Sequence, residues 1–282
     1  MKKFGLIGNP ISASKSPALF NAGYHGRYSY DLIEEEEFGN AWKRFTAGYD
    51  GINVTAPFKL DAFGKADILC GLCGKLGAAN LILKTDKGIA AYNTDFPGII
   101  LSLLDAAYPE GGHGFFLRYG EDFRNASGIF REFFGHKPKA LVAGCGGAGR
   151  AAAAAAAVTG CETVLVNRSS DKARKIASDM TEFNFTIAGT DDFPELFSAC
   201  DIIIYTIPGP IAGIDGIQPC TDRKILLEAN YKDPSFDAGT LCRAGEKCIY
   251  VSGRRWLLYQ ALTGFSIFTG ENPDFAGMCK VI

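Results

Sequence analysis

The 282-residue sequence predicts an α/β protein that contains a doubly wound parallel sheet. Between residues 140 and 251, short apolar segments rich in β-branched residues alternate with segments of helical length. The first of these apolar segments runs into Gly144-x-Gly146-x-x-Gly149, and an alanine-rich segment follows at once. A strand, this glycine spacing and a helix in that order are typical of a dinucleotide-binding domain.

The composition is that of a globular protein and excludes several functional classes. The hydrophobic fraction is 47%, the charged fraction is 21% and the net charge is −2, so nothing favours binding to nucleic acid or to a membrane surface. No apolar run approaches the roughly 18 residues of a membrane span, and no signal-peptide pattern precedes Asn9. We therefore expect a cytoplasmic protein whose nine cysteines are free thiols.

The sequence also lacks the patterns of common metal and hydrolytic sites. Cys70 and Cys73 form a CxxC pair, but no second pair follows and the three histidines have no ligand spacing. HExxH, GxSxG and Walker lysine patterns are absent. We predict no metal site.

The first 100 residues predict a series of strands that end in polar residues. Residues 3–8 form a predicted strand, and a polar loop with three serines leads to Ser16 as a helix N-cap and Pro17 as the first helical residue. The three hydroxyls could bind a polyol or a carboxylate, but this stretch taken alone is better explained by a polar loop with one capping serine. The acidic run 34–37 is interpreted as a solvated helix start.

Two further strand ends carry residues of chemical interest. Residues 51–55 form a predicted strand that Pro57 ends, which places Lys59 in the first turn of a helix. The strand at 89–92 is followed by Asn93-Thr94-Asp95, and Asn80 heads the strand between them. Ligands of parallel sheets bind outside the carboxyl ends of strands, which favours Thr55 and Asp95 as ligand-binding residues. A single lysine such as Lys59 is usually an exposed residue without a specific function.

Each glycine of the central pattern has a distinct expected role. Gly144 permits the tight turn, Gly146 lets the backbone approach a pyrophosphate, and Gly149 lets the helix pack closely on its strand. The free N–H groups at the start of that helix would hold the phosphates. The alternative is a tight glycine turn in an α/β core without a ligand.

The end of the next strand favours NADP over NAD. An NAD-binding fold usually places Asp or Glu about 20 residues after the first glycine, where it binds the ribose 2′-hydroxyl. Here Asn167 lies 23 residues after Gly144 and is followed by Arg168, Ser169 and, shortly after, Lys172. A guanidinium can pair with a 2′-phosphate that a carboxylate would repel, although Arg168 alone could be an ordinary solvated arginine.

The remaining elements complete the alternation. Strands are predicted at 140–143, 163–167, 185–188, 201–207, 225–228 and 248–251, and the final apolar stretch at 254–268 has helical spacing. Residues 96–107 predict a helix. Residues 108–137 are predicted to be irregular, either as a linker with a small helix at 129–134 or as an inserted loop.

Five of these motifs, in this order, resemble those of the shikimate dehydrogenase family over almost the whole chain. They are the loop from Gly8 to Pro17, Asn53 to Lys59, Asn93-Thr94-Asp95, Gly144 to Arg150, and Asn167-Arg168-Ser169. The resemblance implies a substrate domain at 1–98, a Rossmann NADP-binding domain at 99–252 with the irregular insert, and C-terminal helices at 253–282 that return to the substrate domain.

The resemblance also implies roles for residues and a reaction. Lys59 and Asp95 would be the catalytic pair in the reversible NADP-dependent reduction of 3-dehydroshikimate to shikimate, a step of chorismate and aromatic amino acid biosynthesis. The implied substrate-binding residues are Ser14, Ser16, Thr55, Asn80, Tyr231 and Gln260. The implied cofactor-binding residues are Gly144, Gly146, Gly147, Ala148, Gly149, Asn167, Arg168, Ser169, Lys172, Thr206 and Gly253. The expected assembly is a monomer or a homodimer.

Several positions depart from the family pattern. Ala13 stands where many members have histidine, and Tyr205 to Gly209 is an altered cofactor loop. Arg254, Arg255 and Trp256 replace the small or apolar residues usual before Gln260. These departures leave open a paralogue that acts on quinate or another ring polyol acid. A catalytically idle NADP-binding module is the alternative from a different class, since fold and function can separate.

Overall fold

The computed structural model describes residues 2–282, and the chain divides into two compact units. The first unit contains the residues up to Asp95 together with Gln260–Ile282, and the second contains Phe96–Tyr259. The C-terminal residues from Gln260 onward therefore belong to the first unit. No helix among residues 2–282 is both long enough and apolar enough to cross a membrane.

The first unit is built on a six-stranded sheet. Its strands, numbered along the chain, are β1 (Lys3–Gly8), β2 (Ser29–Glu34), β3 (Gly51–Val54), β4 (Ile68–Leu69), β5 (Leu81–Thr85) and β6 (Gly88–Tyr92). The order in the sheet is β2-β1-β3-β5-β6-β4. Only β5 runs antiparallel to its neighbours. The amino end of β5 therefore lies beside the carboxyl ends of β3 and β6, and all three ends share one edge of the sheet.

Helices cover both faces of this sheet. They are α1 (Ser16–Tyr24), α2 (Phe38–Gly48), α3 (Lys59–Phe63), α4 (Cys73–Leu76) and, near the C-terminus, α13 (Phe275–Cys279). One core cluster joins β1 and β3 to α2 and α3 through residues such as Ile7, Phe45 and Phe58. The other side is aromatic, where the Phe4 ring stacks on Phe268 with centroids 4.8 Å apart. Burial of this apolar surface fixes the C-terminal residues on the sheet.

The second unit contains a fully parallel six-stranded sheet. Its strands are β7 (Lys139–Ala143), β8 (Glu162–Val166), β9 (Phe185–Ala188), β10 (Ile202–Tyr205), β11 (Lys224–Glu228) and β12 (Cys248–Ser252). Their order is β12-β11-β10-β7-β8-β9, so the strand order reverses between β7 and β10. The predicted α/β class and doubly wound sheet are confirmed. In such sheets the crevice at the reversal is the expected ligand site.

Three helices of the second unit precede its first strand, and the others each follow a strand. They are α5 (Asp95–Ala107), which begins at the last residue of the first unit, α6 (Gly111–Tyr119), α7 (Ala126–Phe134), α8 (Gly147–Val158), α9 (Ser170–Asp179), α10 (Phe193–Ala199), α11 (Ala238–Ala244) and α12 (Gly253–Thr269), which ends in the first unit. Short 3₁₀ helices occupy Phe123–Asn125 and Ile214–Gly216.

The prediction that residues 108–137 are irregular was wrong apart from the small helix expected at 129–134, which lies within α7. Most of this segment is helical, in α6, the 3₁₀ helix at 123–125 and α7. Glycines at 111, 112 and 114 lower the intrinsic helix propensity, which suggested a loop. Burial of Phe115, Phe123 and Phe130 outweighs that penalty, because each ring is at most 4% exposed.

Candidate active site

An ion pair lies at the shared strand edge of the first unit. Lys59 is the first residue of α3, directly after β3, and Asp95 is the first residue of α5, after β6. Lys59 Nζ lies 2.6 Å from Asp95 Oδ2. The Asp95 side chain is 7% exposed and that of Lys59 is 27% exposed, so the pair is largely shielded from solvent. Such a pair can hold and transfer a proton.

Asn80 is positioned by a hydrogen-bonded cluster next to this pair. Its Oδ1 accepts the Thr94 amide at 2.7 Å, and its Nδ2 donates to Thr94 Oγ1 at 3.1 Å. Asn93 Oδ1 accepts the Asp95 amide at 3.1 Å, so it caps α5. The Asn80 backbone bridges β3 and β6, because its carbonyl accepts from Val54 and its amide donates to Tyr92. Asn80 therefore fixes the segment that carries Asp95.

Ser14 and Ser16 lie together in the loop after β1. Their hydroxyl oxygens are 3.2 Å apart, and the Ser14 hydroxyl also accepts the Ser16 amide at 3.2 Å. The prediction that Ser16 is the N-cap was wrong by one residue: Ser16 begins α1, and Lys15 is at the cap position. Ser14 binds the Ser16 amide instead, and both serines stay partly exposed and can bind a ligand.

Tyr30 supports Ser16 and is itself held by Asn53; neither residue was predicted to belong to the site, although Asn53 begins the motif that runs to Lys59. Tyr30 donates to Asn53 Oδ1 at 2.7 Å, and its hydroxyl also bonds to Ser16. Burial raises the pKa of Tyr30 far above its usual range, so the phenol remains a neutral donor. Strand periodicity places both residues in β2 and β3, but no local pattern distinguishes them from core polar residues.

Thr55 and Gln260 are the other proposed substrate residues of the first unit. Thr55 follows β3, where a Cβ on Gly8 would lie 2.4 Å from Thr55 Cγ2, so only glycine allows β1 to approach this closely. Gln260 is half-buried on α12. It lies one turn before Gly264, where a Cβ would be 3.6 Å from Thr94 Cγ2. Gln260 and Gly264 therefore share one face of α12.

The glycine turn after β7 has the geometry that a dinucleotide requires. Gly144 has φ +101°, which glycine adopts readily. A Cβ on Gly149 would lie 1.9 Å from the Gly144 carbonyl oxygen, whereas one on Gly146 or Gly147 would meet nothing within 4 Å. The turn is thus tightly packed at Gly149 and has open space at Gly146 and Gly147. The amides of Gly147 and Ala148 begin α8 beside this space.

Asn167 links this turn to a positively charged region at the end of β8. Its Oδ1 accepts the Cys145 amide at 3.0 Å, and its Nδ2 donates to the Ser169 carbonyl at 2.9 Å. Arg168 and Lys172 are exposed and form no ion pair with any of residues 2–282. No carboxylate stands at the ribose position, so this region fits a 2′-phosphate.

Thr206 closes the other side of the turn. Its hydroxyl donates to the Ala143 carbonyl at 2.9 Å. A Cβ on Gly144 would lie 2.4 Å from the Thr206 hydroxyl oxygen. The preceding Tyr205 is buried and donates to the Gly209 carbonyl at 2.6 Å, which fixes the altered cofactor loop. The tyrosine that departs from the family pattern thus serves as an internal support of this loop.

The start of α12 packs tightly on the loop after β11. A Cβ on Gly253 would lie 2.1 Å from the Ala229 carbonyl oxygen. Tyr231, on that loop, is half-buried; burial raises its pKa, and the charge of Arg254 opposes the shift.

Trp256 is 5% exposed and its indole nitrogen has no acceptor among residues 2–282. Arg255 Nε lies 3.0 Å from Asp105 Oδ2, so its charge is paired within the second unit.

The thiols are not arranged as a metal site. All nine cysteines are free, and no group of three or more potential metal ligands occurs among the described residues. Burial raises the pKa of Cys73 to about 12, which leaves this member of the CxxC pair protonated and unreactive. Burial likewise raises the pKa of Cys145 in the glycine turn to about 11, against the opposing charge of Lys172.

Comparison with known sequence families and proteins gives a consistent result. Residues 6–82 match the family described as shikimate dehydrogenase substrate binding domain, and residues 126–215 match shikimate / quinate 5-dehydrogenase. A shikimate dehydrogenase (NADP(+)) of Bacillus cereus strain B4264 is 28% identical over 291 residues, which cover 99% of this chain and 96% of that protein. One from Methanothermobacter thermautotrophicus is 28% identical over 290 residues, covering 95% and 91%.

The similarity extends to solved structures. The crystal structure of Mycobacterium tuberculosis shikimate dehydrogenase is similar with a TM-score of 0.79 and 26% sequence identity, and the match covers 100% of both chains. The match therefore includes both units, and its level of identity leaves ample room for differences in side chains around a common fold.

Proposed function

The chain belongs to the shikimate dehydrogenase family, and from this premise we propose that it is an NADP-dependent oxidoreductase that reversibly reduces 3-dehydroshikimate to shikimate. The observation that carries the proposal is the Lys59–Asp95 ion pair of 2.6 Å at the strand edge of the first unit. The pair supplies the proton chemistry that a carbonyl reduction needs.

The second unit fits NADP. The turn from Gly144 to Gly149 leaves open space above Gly146 and Gly147, as a pyrophosphate would require. Arg168 and Lys172 provide exposed positive charge next to Asn167, where an NAD-specific site would carry a carboxylate. Thr206, Ser169 and Gly253 complete the proposed cofactor contacts. The nicotinamide, when bound, supplies or accepts the hydride, and the protein supplies position and proton transfer.

Lys59 is the proposed proton donor. As hydride adds to the carbonyl carbon, the oxygen gains negative charge and takes a proton from the Lys59 ammonium group. In the reverse direction the neutral amine takes the hydroxyl proton as hydride leaves the same carbon. Asp95 accepts a hydrogen bond from Lys59 and holds its Nζ in one direction, which keeps the transfer distance short.

The remaining polar groups are proposed to orient the substrate acid. Ser14 and Ser16 offer adjacent hydroxyls, supported by Tyr30, for the carboxylate. Thr55, Asn80, Gln260 and Tyr231 would bind ring hydroxyls. Asn80 keeps one Nδ2 hydrogen for this purpose, because its other groups bind Thr94. We further propose that the first unit binds the substrate and the second binds the cofactor. The protein is proposed to be cytoplasmic and to be a monomer or a homodimer.

The test is an initial-rate assay of reduced-nicotinamide absorbance with shikimate or quinate and with NADP or NAD. We expect turnover with shikimate and NADP, with a much lower kcat/KM for NAD. A higher kcat/KM for quinate than for shikimate would assign the enzyme to the quinate branch. NADP binding without turnover of either acid would refute the enzymatic proposal.

A further inference from the structure

We propose that Asp105 is a positioning residue for the cofactor site, because its carboxylate clamps the first two turns of α12 and thereby sets the position of Gly253. This inference rests on the proposed function, in which Gly253 contacts NADP. Asp105 lies outside every motif identified in the sequence, so the motifs assign it no role in the reaction.

The clamp consists of contacts from one carboxylate to two helices. Asp105 Oδ1 accepts the Gly112 amide at 2.9 Å and also accepts the hydroxyl of Tyr259. Its Oδ2 lies 3.0 Å from Arg255 Nε; the contact lacks hydrogen-bond geometry and acts as an ion pair. The Asp105 side chain is only 15% exposed, so solvent screens these contacts weakly.

The tyrosine completes the network. Tyr259 is 1% exposed, and its oxygen accepts the His113 amide at 3.1 Å while its proton goes to Asp105. Burial and the neighbouring charge of Asp105 raise the pKa of Tyr259, so the phenol remains a donor. The end of α5, the start of α6 and one face of α12 are thus joined through two polar side chains that are mostly buried.

Spacing along α12 directs the clamp to Gly253. Arg255 and Tyr259 are four residues apart and lie one above the other on one side of the helix, so Asp105 holds both successive turns. Gly253 begins the same helix, and its Cα has no room to move toward the Ala229 carbonyl. A rotation or shift of the first turn would therefore displace Gly253 or the loop that carries Tyr231.

The clamp also accounts for a departure from the family pattern. Arg255 stands where a small or apolar residue is usual, and the sequence left open whether it reshapes the substrate pocket. Its guanidinium is instead paired with Asp105, so its charge supports the helix. Arg255, Tyr259 and Asp105 are expected to act as one unit.

The experiment measures the dissociation constant of NADP by isothermal titration calorimetry and the Tm by thermal unfolding, without any acid substrate. We expect Tyr259→Phe and Asp105→Asn each to weaken NADP binding about tenfold, the effect of losing one hydrogen bond to a charged group. The matched control is Tyr24→Phe, because Tyr24 is also buried and its hydroxyl donates to Phe265 O, farther along α12. This control should lower Tm but leave NADP affinity unchanged.

The outcomes separate the clamp from the proposed function. If Tyr259→Phe and Asp105→Asn bind NADP as tightly as the wild type while losing as much Tm as Tyr24→Phe, the clamp is merely structural and the inference is overturned. A wild type that binds NADP but turns over no acid refutes the proposed function. The NADP dissociation constants of Tyr259→Phe and Asp105→Asn still test the role of Asp105 in that case. If Asp105→Asn does not fold, Tyr259→Phe, which removes only one oxygen, decides it alone.

Discussion

Lys59 and Asp95 are 36 residues apart in the chain, yet their charged groups are 2.6 Å apart. The antiparallel strand β5 produces this contact. It lies between β3 and β6, which are parallel to each other, so the helices that follow β3 and β6 both begin at the same edge of the sheet. Lys59 and Asp95 are the first residues of those two helices, and the Ala79 amide, just before β5, binds the Lys59 carbonyl at 3.2 Å.

Lys59→Ala is expected to lower kcat by about 10²- to 10⁴-fold, because the oxygen that receives hydride loses its proton donor. The Tm should also fall, because the substitution leaves the largely buried Asp95 carboxylate without its cation. Initial rates with shikimate and NADP measure the effect. The control is Lys65→Ala, an exposed lysine six residues later that should keep the wild-type rate. A Lys59→Ala variant with undiminished kcat would exclude this lysine as the proton donor.

Arg168→Gln is expected to weaken NADP binding about tenfold or more and to leave NAD binding unchanged, because only NADP carries the 2′-phosphate that the guanidinium would pair with. Calorimetric titration with both nucleotides measures the two dissociation constants. Arg174→Gln is the control, since Arg174 is occupied with Ser170 and Asp171 on α9. Equal losses for NADP and NAD would contradict the assignment of Arg168 to the 2′-phosphate.

The sequence was most informative where a local pattern determines the geometry. The glycine spacing after β7 predicted a turn in which Gly149 has no room for a side chain, and the structure has that contact. The strands of the second unit were predicted because parallel strands buried on both faces form continuous apolar runs. The motifs around Lys59 and Asp95 predicted that both residues follow strand ends. Only the order of β3, β5 and β6 in the sheet brings the two residues together.

The features that sequence reasoning missed depend on contacts distant in the chain. The glycine-rich start of α6 concealed a helix whose stability comes from buried rings, such as Phe115 stacked on Phe123 with centroids 5.9 Å apart. Asp105 shows no local signal, because its partners Arg255 and Tyr259 lie about 150 residues later. Tyr30 in β2 bonds to Ser16 at the opposite end of α1, so the two residues share no local pattern either. Such residues become visible only when the packing is known.

Gly149→Ala and Gly146→Ala are both expected to weaken NADP binding, but only Gly149→Ala is expected to lower Tm. A Cβ at Gly149 would lie 1.9 Å from the Gly144 carbonyl oxygen, so this variant should lose several degrees of Tm and most of its NADP affinity. A Cβ at Gly146 meets nothing within 4 Å, so Gly146→Ala should fold with wild-type Tm and still bind NADP more weakly, because the methyl group would occupy the proposed pyrophosphate position. Unchanged NADP affinity in Gly146→Ala would place the phosphates elsewhere.

Asn80→Ala is expected to lower the free energy of unfolding by about 1–3 kcal/mol, because it leaves the buried Thr94 amide without its acceptor. Chemical denaturation with urea measures the change. Asn80→Asp is the informative companion, since a carboxylate can still accept the Thr94 amide but cannot donate to a ligand. It should regain part of the stability and remain impaired in KM for shikimate. Wild-type KM in Asn80→Asp would remove Asn80 from the substrate site.

His113 predicts a pH dependence of stability. Burial lowers its pKa below the value of 6.5 that the exposed side chain has, and the charge of Asp105 opposes this shift only in part. Between the two pKa values the unfolded chain binds more protons than the folded one, so the free energy of unfolding rises with pH across that window. Above the unfolded value both states are neutral, and below the folded value the destabilisation is complete.

His113→Gln is therefore expected to flatten the part of the Tm-against-pH curve that lies just below the unfolded value of 6.5, because glutamine does not titrate there. Thermal unfolding of wild type and variant at half-unit steps from about pH 5 to about pH 8 measures the difference. The control is His25→Asn, since the side chain of His25 is 69% exposed. It should keep the wild-type slope below pH 6.5. A slope that persists unchanged in His113→Gln would assign this pH dependence to other groups, because the buried imidazole would then not be the site at which the unfolded chain takes up its additional proton.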